Sequence, residues 1–319
     1  MPVNTKIIKR RLKSVKNTKK ITKAMELVSA AKMRRAVEAV QQSRTFASLA
    51  WELLVNLSYL RKKVSLPLLD VRPVKQLLVV LITSNRGLCG SFNANIIRKT
   101  VEQLKNPVNI SRQRVRNGII DPSESIDISI IAVGKKGGEL TAKLGYKLLA
   151  VFSDLSDTPA LADVLPIIAM IREQYEGKKC DKVVVAYTDF RSALTQVAKL
   201  RQVLPISAHD LEKMLIAGVA PTTPPPLLGQ EGKENDYLFE PGKLEVLQAM
   251  LPRLVETQLY QAVLESSASE HSARMMAMRN ASDAAEDMMD ELNLNFNKAR
   301  QAGITQEIAE IAGGSAALG

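Results

Sequence analysis

Apolar side chains recur every three or four residues along the first part of the chain, with polar and charged residues between them. The recurrence runs from Ile8 to Leu60, and this spacing is typical of one face of an α-helix. Neither proline nor glycine occurs between Pro2 and Pro67, and most residues there favour helix. The pattern therefore predicts one helix over Asn4–Leu60, roughly 85 Å long.

A second long helix is predicted at the other end of the chain. Between Pro252 and Gly303 there is again neither proline nor glycine, and apolar and small residues form one stripe from Leu254 to Met288. Continued to Ile311, this helix is roughly 90 Å long. Pro252 either kinks the helix or marks a shorter helix before it.

Helices of this length do not fit inside a compact domain of 319 residues, whose radius of gyration is about 20 Å. The two stripes are therefore expected to pack on each other, and the helices to run antiparallel because a compact middle returns the chain. We expect a loosely supercoiled antiparallel coiled coil, since the heptad pattern is imperfect. A bundle of shorter helices is the alternative, but residues 3–66 lack the breaking residues that its loops need.

The middle of the chain has continuous apolar runs that alternate with helical segments. Continuous runs are typical of strands that are buried on both faces of a parallel sheet. Strands alternating with helices predict a central α/β domain with a Rossmann-like, doubly wound, largely parallel sheet. The predicted strands are Leu77–Thr83, Ile126–Val133, Lys147–Phe152, Lys182–Tyr187 and Gln196–Leu204, and the predicted helices are Asn93–Leu104, Lys135–Leu144 and Leu161–Tyr175.

Proline-rich and polar stretches divide the chain into four parts. Residues 106–125 are polar and are interpreted as a surface insertion. The sequence PTTPPPLLG at 221–229 predicts a stiff, extended linker. The predicted division is 1–66 for the N-terminal helix, 70–210 for the α/β domain, 211–241 for a linker with a foot at its end, and 242–319 for the C-terminal helix.

The charge of the chain is concentrated at its start. Residues 1–35 carry twelve Lys or Arg and one acid, Glu26, which equals the whole net charge of +11. A positive segment of this kind favours an anionic partner such as nucleic acid, lipid headgroups or an acidic protein surface. A nucleic-acid-binding helical protein is therefore one hypothesis. Against it, the basic residues lie all round the helix, and Ile8, Leu12 and Val15 indicate a protein partner.

Several kinds of site are excluded or disfavoured by composition. Two cysteines, Cys89 and Cys180, cannot form a disulfide scaffold, and with His209 and His271 far apart in sequence a zinc site is not expected. No uninterrupted apolar run approaches the ~18–20 residues of a membrane span. His271 is interpreted as a histidine on a helix surface or between helices.

Two loops of the predicted sheet carry candidate chemistry. Gly134, Gly137 and Gly138 follow a strand, but their spacing matches neither dinucleotide-binding nor phosphate-binding glycine loops, so a simple strand-to-helix turn is favoured over a nucleotide-dependent enzyme. Residues 84–91 follow the first strand, where ligands of parallel sheets usually bind. Cys89 is a conceivable nucleophile there, but no activating acid or histidine lies near it in sequence; a tight turn with a small buried thiol is favoured, unless Arg86 is presented to a partner.

Motifs along the whole chain resemble one protein family. They are KSVKNTKKITKAMELVSAAKMRRA (13–36), TSNRGLCGSFN (83–93), DYLFEP (236–241), ASEHSARMMAMRNASDAA (268–285) and NKARQAGITQEIAEI (297–311). In this order they resemble the gamma subunit of rotary F-type ATP synthases, of bacterial or organellar type. The similarity is strongest at the two ends, and the central sheet is similar in pattern more than in residues.

The resemblance implies a non-catalytic central shaft without a cofactor. In the family, the two terminal helices lie inside a ring of three alpha and three beta subunits, and an α/β domain stands at the foot. The foot contacts the membrane-embedded c-ring and the epsilon subunit. Rotation of the single shaft couples proton flow to ATP synthesis at the beta-subunit sites. The implied location is the cytoplasmic face of a plasma or thylakoid membrane, as a peripheral protein.

The resemblance also implies roles for individual residues. Those matching the beta-subunit contacts are Lys20, Lys23, Met25, Arg86, Cys89, Arg300, Gln301 and Thr305. Those matching the apolar tip in its bearing are Ile304, Ile308 and Ile311, and those matching the foot that touches the c-ring are Tyr237 and Glu240. Residues 106–125 are extra length relative to the shortest members and hold no cysteine pair, so the thiol switch of the plant enzyme is not expected. The chain starts at the family's first helix, which favours a bacterial or processed organellar origin.

Overall fold

The computed structural model describes residues 5–57, 67–115, 118–123, 125–206 and 240–318. Long helices begin and end this part of the chain, as the apolar periodicity predicts. The helices are α1 (Thr5–Leu57), α2 (Phe92–Lys105), α3 (Pro107–Ser111), α4 (Lys135–Lys143), α5 (Leu161–Glu176) and α6 (Lys243–Leu318). The strands are β1 (Gln76–Ile82), β2 (Gln113–Val115), β3 (Gly118–Ile120), β4 (Asp127–Val133), β5 (Lys147–Phe152), β6 (Lys182–Phe190) and β7 (Gln196–Leu204).

Five strands form the central sheet in the order β5-β4-β1-β6-β7. The pairs β5–β4, β4–β1 and β1–β6 are parallel, and β7 is antiparallel to β6. β1 lies in the middle and is buried from Leu77 to Ile82, which explains its continuous apolar sequence. The predicted class, a largely parallel α/β sheet between two long helices, is confirmed.

Helices cover both faces of the sheet, so it is doubly wound. On one face, α5 and the first turns of α6 pack on alternate residues of the strands, with Ile167, Leu251 and Leu254 among the buried side chains. On the other face, α2 contributes Ile96 and Leu104 to a second apolar cluster. α6 continues through Pro252, so the proline does not mark a separate, shorter helix before it.

The chain divides into two compact units, and both long helices contribute to each. Unit one consists of residues 1–31 and 274–319. Within it, Lys19 forms a 2.8 Å ion pair with Glu286, and the Thr22 and Ser282 hydroxyls are 2.7 Å apart. Since the partner number falls as the α1 number rises, these parts of α1 and α6 run antiparallel.

Unit two consists of residues 32–273 and contains the sheet. Its parts of α1 and α6 pack through a cluster of Ala36, Val40, Leu264 and Ala268. The small alanine side chains let the backbones approach closely. This contact fits the antiparallel pairing of the terminal helices that the sequence predicts.

Within residues 106–125, the described residues form α3 and the antiparallel strands β2 and β3. Their start is attached to the sheet: Ser111 and Gln113 are buried, and Lys182 Nζ donates a hydrogen bond to Arg112 O at 2.8 Å. The segment predicted as a surface insertion therefore has a buried base beside the start of β6.

Candidate functional site

The residues assigned by resemblance to subunit contacts fall in both units. Unit one holds Lys20, Lys23, Met25, Arg300, Gln301 and Thr305 and the three isoleucines of the tip, whereas unit two holds Arg86, Cys89 and Glu240. Tyr237 lies outside the described residues. Each unit therefore carries its own candidate surface, and the two surfaces are described separately.

The loop between β1 and α2, residues 83–91, presents the candidate surface of unit two. It starts at the carboxyl end of the central strand, where Thr83 and Ser84 are still buried, and it rises to Arg86, Gly87 and Leu88, which are exposed. Leu88 has a positive φ of 61° and is 63% exposed. A non-glycine residue in this conformation is held there by its surroundings.

Asn93 fixes the internal shape of this loop. Its Oδ1 accepts a hydrogen bond from Ser84 N at 3.0 Å, and its Nδ2 donates to Ser84 Oγ at 2.7 Å and to Cys89 Sγ at 3.3 Å. Ser84 Oγ in turn donates to Arg86 O at 2.6 Å. One asparagine side chain thus joins the two ends of the turn.

Cys89 takes part in this network as a buried thiol. It is 3% exposed, and its sulfur lies 3.7 Å from Ser84 Oγ. Arg86, by contrast, is at the surface. The sequence interpretation of a tight turn with a buried thiol agrees with this geometry, and Arg86 is the residue of the pair that can reach a partner.

Asn85 connects the loop to its neighbours at the same edge of the sheet. Its Nδ2 donates to Ser153 O at 2.8 Å, and its Oδ1 accepts from Lys135 N at 3.0 Å. Ser153 starts the β5–α5 connection, and Lys135 starts α4. Sequence reasoning missed Asn85 because its partners are 68 and 50 positions away, and no local pattern identifies such contacts.

The β5–α5 connection is itself attached to both long helices within unit two. Asp157 pairs through its carboxylate with Lys32 of α1. Its carbonyl oxygen accepts a hydrogen bond from Ser267 Oγ at 3.0 Å and lies 3.1 Å from Nε2 of the buried His271. The hydrogen bond from Lys32 lowers the pKa of Asp157, and the nearby charges of His271 and Arg86 lower it further. His271 is therefore buried in a polar contact between α6 and the β5–α5 connection and does not lie on the helix surface, one of its two predicted positions.

In unit one, the candidate surface on α1 carries two accessible lysines. Lys20 and Lys23 are exposed, and Met25 is partly exposed. Lys23 pairs with Glu26 at 2.9 Å within the helix, and the Lys23 side chain is 56% exposed. Both lysines are therefore accessible to an acidic partner.

The last part of α6 combines polar residues with exposed apolar ones. Arg300 and Gln301 are exposed, and the Thr305 hydroxyl donates to Gln301 O at 3.0 Å. The three isoleucines of the tip follow at helical spacing. Ile304, Ile308 and Ile311 are 46%, 62% and 74% exposed. Adjacent exposed apolar side chains of this size are typical of a surface that binds another protein.

The glycine turn before α4 does not form a phosphate site. Gly134 has φ 99°, and the first four amide groups of α4 each have an acceptor within the protein. These hydrogen bonds are Lys135 N to Asn85 Oδ1 (3.0 Å), Lys136 N to Ser84 O (3.2 Å), Gly137 N to Thr83 Oγ1 (2.8 Å) and Gly138 N to Gly134 O (3.4 Å). With these donors occupied, the helix start has none left for a nucleotide phosphate.

Other sites find no support in the described part of the chain. No group of three or more His, Cys, Asp or Glu there is arranged to hold a metal ion. Within the same residues, no helix has both the length and the apolar character to cross a membrane. Glu240, the described foot residue, is exposed just before α6.

Comparison with known proteins gives a consistent result over the full chain. The model of a family described as ATP synthase matches residues 4–318. An ATP synthase gamma chain of Heliobacterium modesticaldum is 40% identical over 312 residues, which cover 98% of each chain. One from Dehalococcoides mccartyi is 39% identical over 317 residues, which cover 99% of each chain.

Solved structures have the same fold. A chain from the cryo-EM structure of the central stalk and c-ring of the Tetrahymena thermophila mitochondrial ATP synthase matches with a TM-score of 0.54 and 26% identity, covering 82% of this chain and 99% of that one. A chain from the Euglena gracilis mitochondrial ATP synthase matches with a TM-score of 0.61 over 98% of this chain and 94% of that one. At 21% identity, the second match shows the fold alone.

Proposed function

Because the chain belongs to the ATP synthase gamma-chain family, we propose that it is the central rotary shaft of an F-type ATP synthase. It couples proton flow through a membrane c-ring to ATP synthesis at the beta-subunit sites. The observation that carries this proposal is the pairing of the two chain ends as antiparallel helices, in a chain that matches gamma chains over nearly its full length. The proposal makes the chain a peripheral protein on the cytoplasmic face of the coupling membrane.

A shaft acts by making different contacts with chemically identical neighbours. A ligand shifts an equilibrium between conformations only if it binds them with different free energies. The chain is asymmetric, so at any moment it offers a different surface to each beta subunit around it. As it turns, each catalytic site meets the same surfaces in sequence, and its affinity for nucleotide changes accordingly.

The candidate surfaces fit this role chemically. The accessible Lys20 and Lys23 of α1 suit an acidic loop of a beta subunit, with Met25 beside them. Arg300 and Gln301 supply donors on α6, and the isoleucines of the tip suit an apolar bearing. Arg86 suits the base of a beta subunit, while Glu240 and Tyr237 are assigned to the c-ring through the family motif alone. An epsilon subunit and the alpha subunits complete the proposed partners.

We propose that the chain itself catalyses nothing. The occupied amides at the start of α4 support this, since they remove the nucleotide site that a doubly wound sheet would otherwise suggest. The nucleic-acid hypothesis is disfavoured because the similar proteins are ATP synthase gamma chains. Two of the basic residues, Lys19 and Lys32, are also paired with Glu286 and Asp157.

Reconstitution tests the proposal. Membranes containing the other subunits, but lacking this chain, are supplemented with purified chain, and ATP-driven acidification of the vesicles is followed with a fluorescent dye. We expect acidification only when the chain is present, and no ATP hydrolysis by the chain alone. Hydrolysis by the isolated chain, or full acidification without it, would reject the shaft.

A variant at the tip sharpens the test. We expect Ile308→Asp to reduce acidification per ATP hydrolysed, since a charge in an apolar bearing is unfavourable. Glu307→Asp, on the exposed neighbouring position, is the matched control and should couple like the parent.

A further inference from the structure

The loop that carries Arg86 is attached by Asn85 to a connection that is attached in turn to both long helices. Asn85 is not among the residues that the family motif assigns to a subunit contact. It lies at the carboxyl edge of the sheet, between the exposed Arg86 and the buried Ser84. The nitrogen and the oxygen of its side-chain amide both bind backbone groups of neighbouring segments.

Asn85 of the loop and Asn93 at the start of α2 have separate effects. Asn93 binds Ser84 and Cys89, which belong to the same loop, so it determines the shape of the turn. Asn85 binds Ser153 and Lys135, which belong to other segments, so it determines where the turn lies relative to the sheet edge. If the contacts of Asn85 are lost while those of Asn93 remain, the loop can keep its internal shape and still move relative to the sheet edge.

The link continues from Ser153 to the helices within unit two. Four residues after Ser153, Asp157 pairs with Lys32 of α1. Its carbonyl oxygen is held by Ser267 and contacts His271, both on α6. Tyr260 of α6 donates from its hydroxyl to Pro159 O at 3.2 Å, which adds a further contact to the same connection.

We propose that Asn85 is a positioning residue that fixes Arg86 relative to α1 and α6, acting through the 153–159 connection. The proposal rests on the proposed function, since it assumes that Arg86 contacts a neighbouring subunit. In each rotation of the shaft, Arg86 would meet the neighbouring subunit at one angle. It can transmit force there only if its position relative to the two long helices is fixed. Asn85 supplies that attachment at the loop, and Asp157 supplies it at the helices.

The chemistry of an amide suits this position. The Nδ2 group must donate to the carbonyl of Ser153, and Oδ1 must accept from the backbone amide of Lys135. Asn85→Asp keeps the acceptor for Lys135 N but removes the donor for Ser153 O. Asn85→Ala removes both hydrogen bonds, of which the one to Ser153 O is part-buried and the one from Lys135 N is exposed.

Hydrogen exchange of the full chain tests the positioning directly. In Asn85→Ala we expect the backbone amides of residues 84–88 and of Lys135 to exchange faster, by up to about tenfold, since the loss of one intramolecular hydrogen bond has at most roughly this effect. Asn85→Asp should fall between the parent and Asn85→Ala. Asn95→Ala is the control, because it removes only exposed side-chain hydrogen bonds to residues within four positions, Ser91 and Arg98. Unchanged exchange in Asn85→Ala would overturn the proposal.

A double-mutant cycle in the reconstituted complex tests whether Asn85 acts through Arg86. Coupling is measured as vesicle acidification per ATP hydrolysed for Asn85→Ala, Arg86→Ala and the double variant. If Asn85 only positions Arg86, the double variant couples no worse than Arg86→Ala alone. Losses that multiply would show that Asn85 acts independently and would overturn the proposal.

The exchange measurement and the double-mutant cycle also distinguish failure of this proposal from failure of the proposed shaft function. If Arg86→Ala couples like the parent, the assigned contact of Arg86 is wrong, and Asn85 cannot act through it. If the chain fails to restore acidification at all, the shaft is wrong, whereas the exchange measurement still decides whether Asn85 holds the loop.

Discussion

Thr22 and Ser282, 260 positions apart in sequence, place their hydroxyl oxygens 2.7 Å from each other in the buried contact between α1 and α6. Each hydroxyl also lies near a carbonyl of its own helix, Lys19 O for Thr22 and Met278 O for Ser282. Two small polar side chains that bond across a contact bring the helix backbones close together. This contact locates the pairing of α1 with α6 within unit one.

A larger side chain at Ser282 should separate the helices there. We expect Ser282→Leu to lower the free energy of unfolding by about 1–3 kcal/mol, the usual cost of overpacking, in addition to the lost hydrogen bond. Urea unfolding followed by circular dichroism measures the change. Ala284→Leu places the same side chain on the exposed side of α6 and should unfold at nearly the urea concentration of the parent. Equal midpoints for the two variants would contradict the close contact.

The fold follows from the sequence where one local period dominates. Lys147–Phe152 and the more polar Gln196–Leu204 are predicted with their observed bounds, because glycine, proline or polar residues lie beside both ends of each strand. Helix α1 is predicted to within a few residues because nothing in its sequence interrupts the period. The edge position and antiparallel direction of β7 were not predicted, since strand order depends on contacts between distant segments.

The candidate site was predictable only in part. Arg86 and the tip isoleucines came from the family motifs, whereas Asn85 and Asp157 came from the structure. Asparagine and aspartate are ordinary loop residues, so their identity alone carries no signal. Their roles depend on partners that the fold brings together from α1, α4 and α6.

Gly134 should tolerate no side chain. Its φ is 99°, and a Cβ there would lie 2.2 Å from Thr83 O, a backbone atom that cannot move aside. We expect Gly134→Ala to lower the free energy of unfolding by about 3 kcal/mol or more, through strain and overlap together. Gly145 also has a positive φ, 73°, but a Cβ there meets nothing within 4 Å. Gly145→Ala should therefore cost only about 1–2 kcal/mol. Similar urea midpoints for the two variants would contradict the close contact of Gly134 with Thr83 at the end of β1.

The carboxylate of Asp157 should contribute to stability in a pH-dependent way. Pairing with Lys32 holds its folded-state pKa below the ordinary value of 3.8. The contribution is therefore present above pH 3.8 and is lost as the pH falls through the lower, folded-state pKa. We expect parent and Asp157→Asn to differ by less than about 1 kcal/mol near neutral pH, because the pair is partly exposed.

Thermal unfolding across pH measures this difference. The stability gap between parent and Asp157→Asn should close below pH 3.8 and should narrow in high salt. Asp154→Asn, an exposed neighbour in the same connection, is the control and should show a smaller gap. If the stability difference between parent and Asp157→Asn grew as the pH fell, the pKa of Asp157 would be raised in the folded protein and not lowered.

Asp181 fastens the start of β1 to the start of β6. Its Oδ1 accepts from Arg72 Nε at 2.7 Å, and its Oδ2 accepts from the backbone amides of Lys75 and Gln76 at 2.9 Å. We expect Asp181→Ala to cost about 2–4 kcal/mol in unfolding free energy, because one change leaves three donors without this acceptor. Asp121→Ala breaks an exposed pair with Arg112 and should cost less than about 1 kcal/mol. Guanidinium unfolding of both variants compares the losses; equal losses would refute this role of Asp181.

Rotation of the chain inside the assembled complex tests the proposed function most directly. Cys89 and Cys180 are buried, so a cysteine introduced by Leu194→Cys, at a position that is 79% exposed, can carry a bead selectively. With the alpha and beta subunits fixed to a surface and ATP added, we predict that the bead turns in one direction and pauses once per beta subunit. A bead that only fluctuates about one angle while ATP is hydrolysed would contradict the shaft.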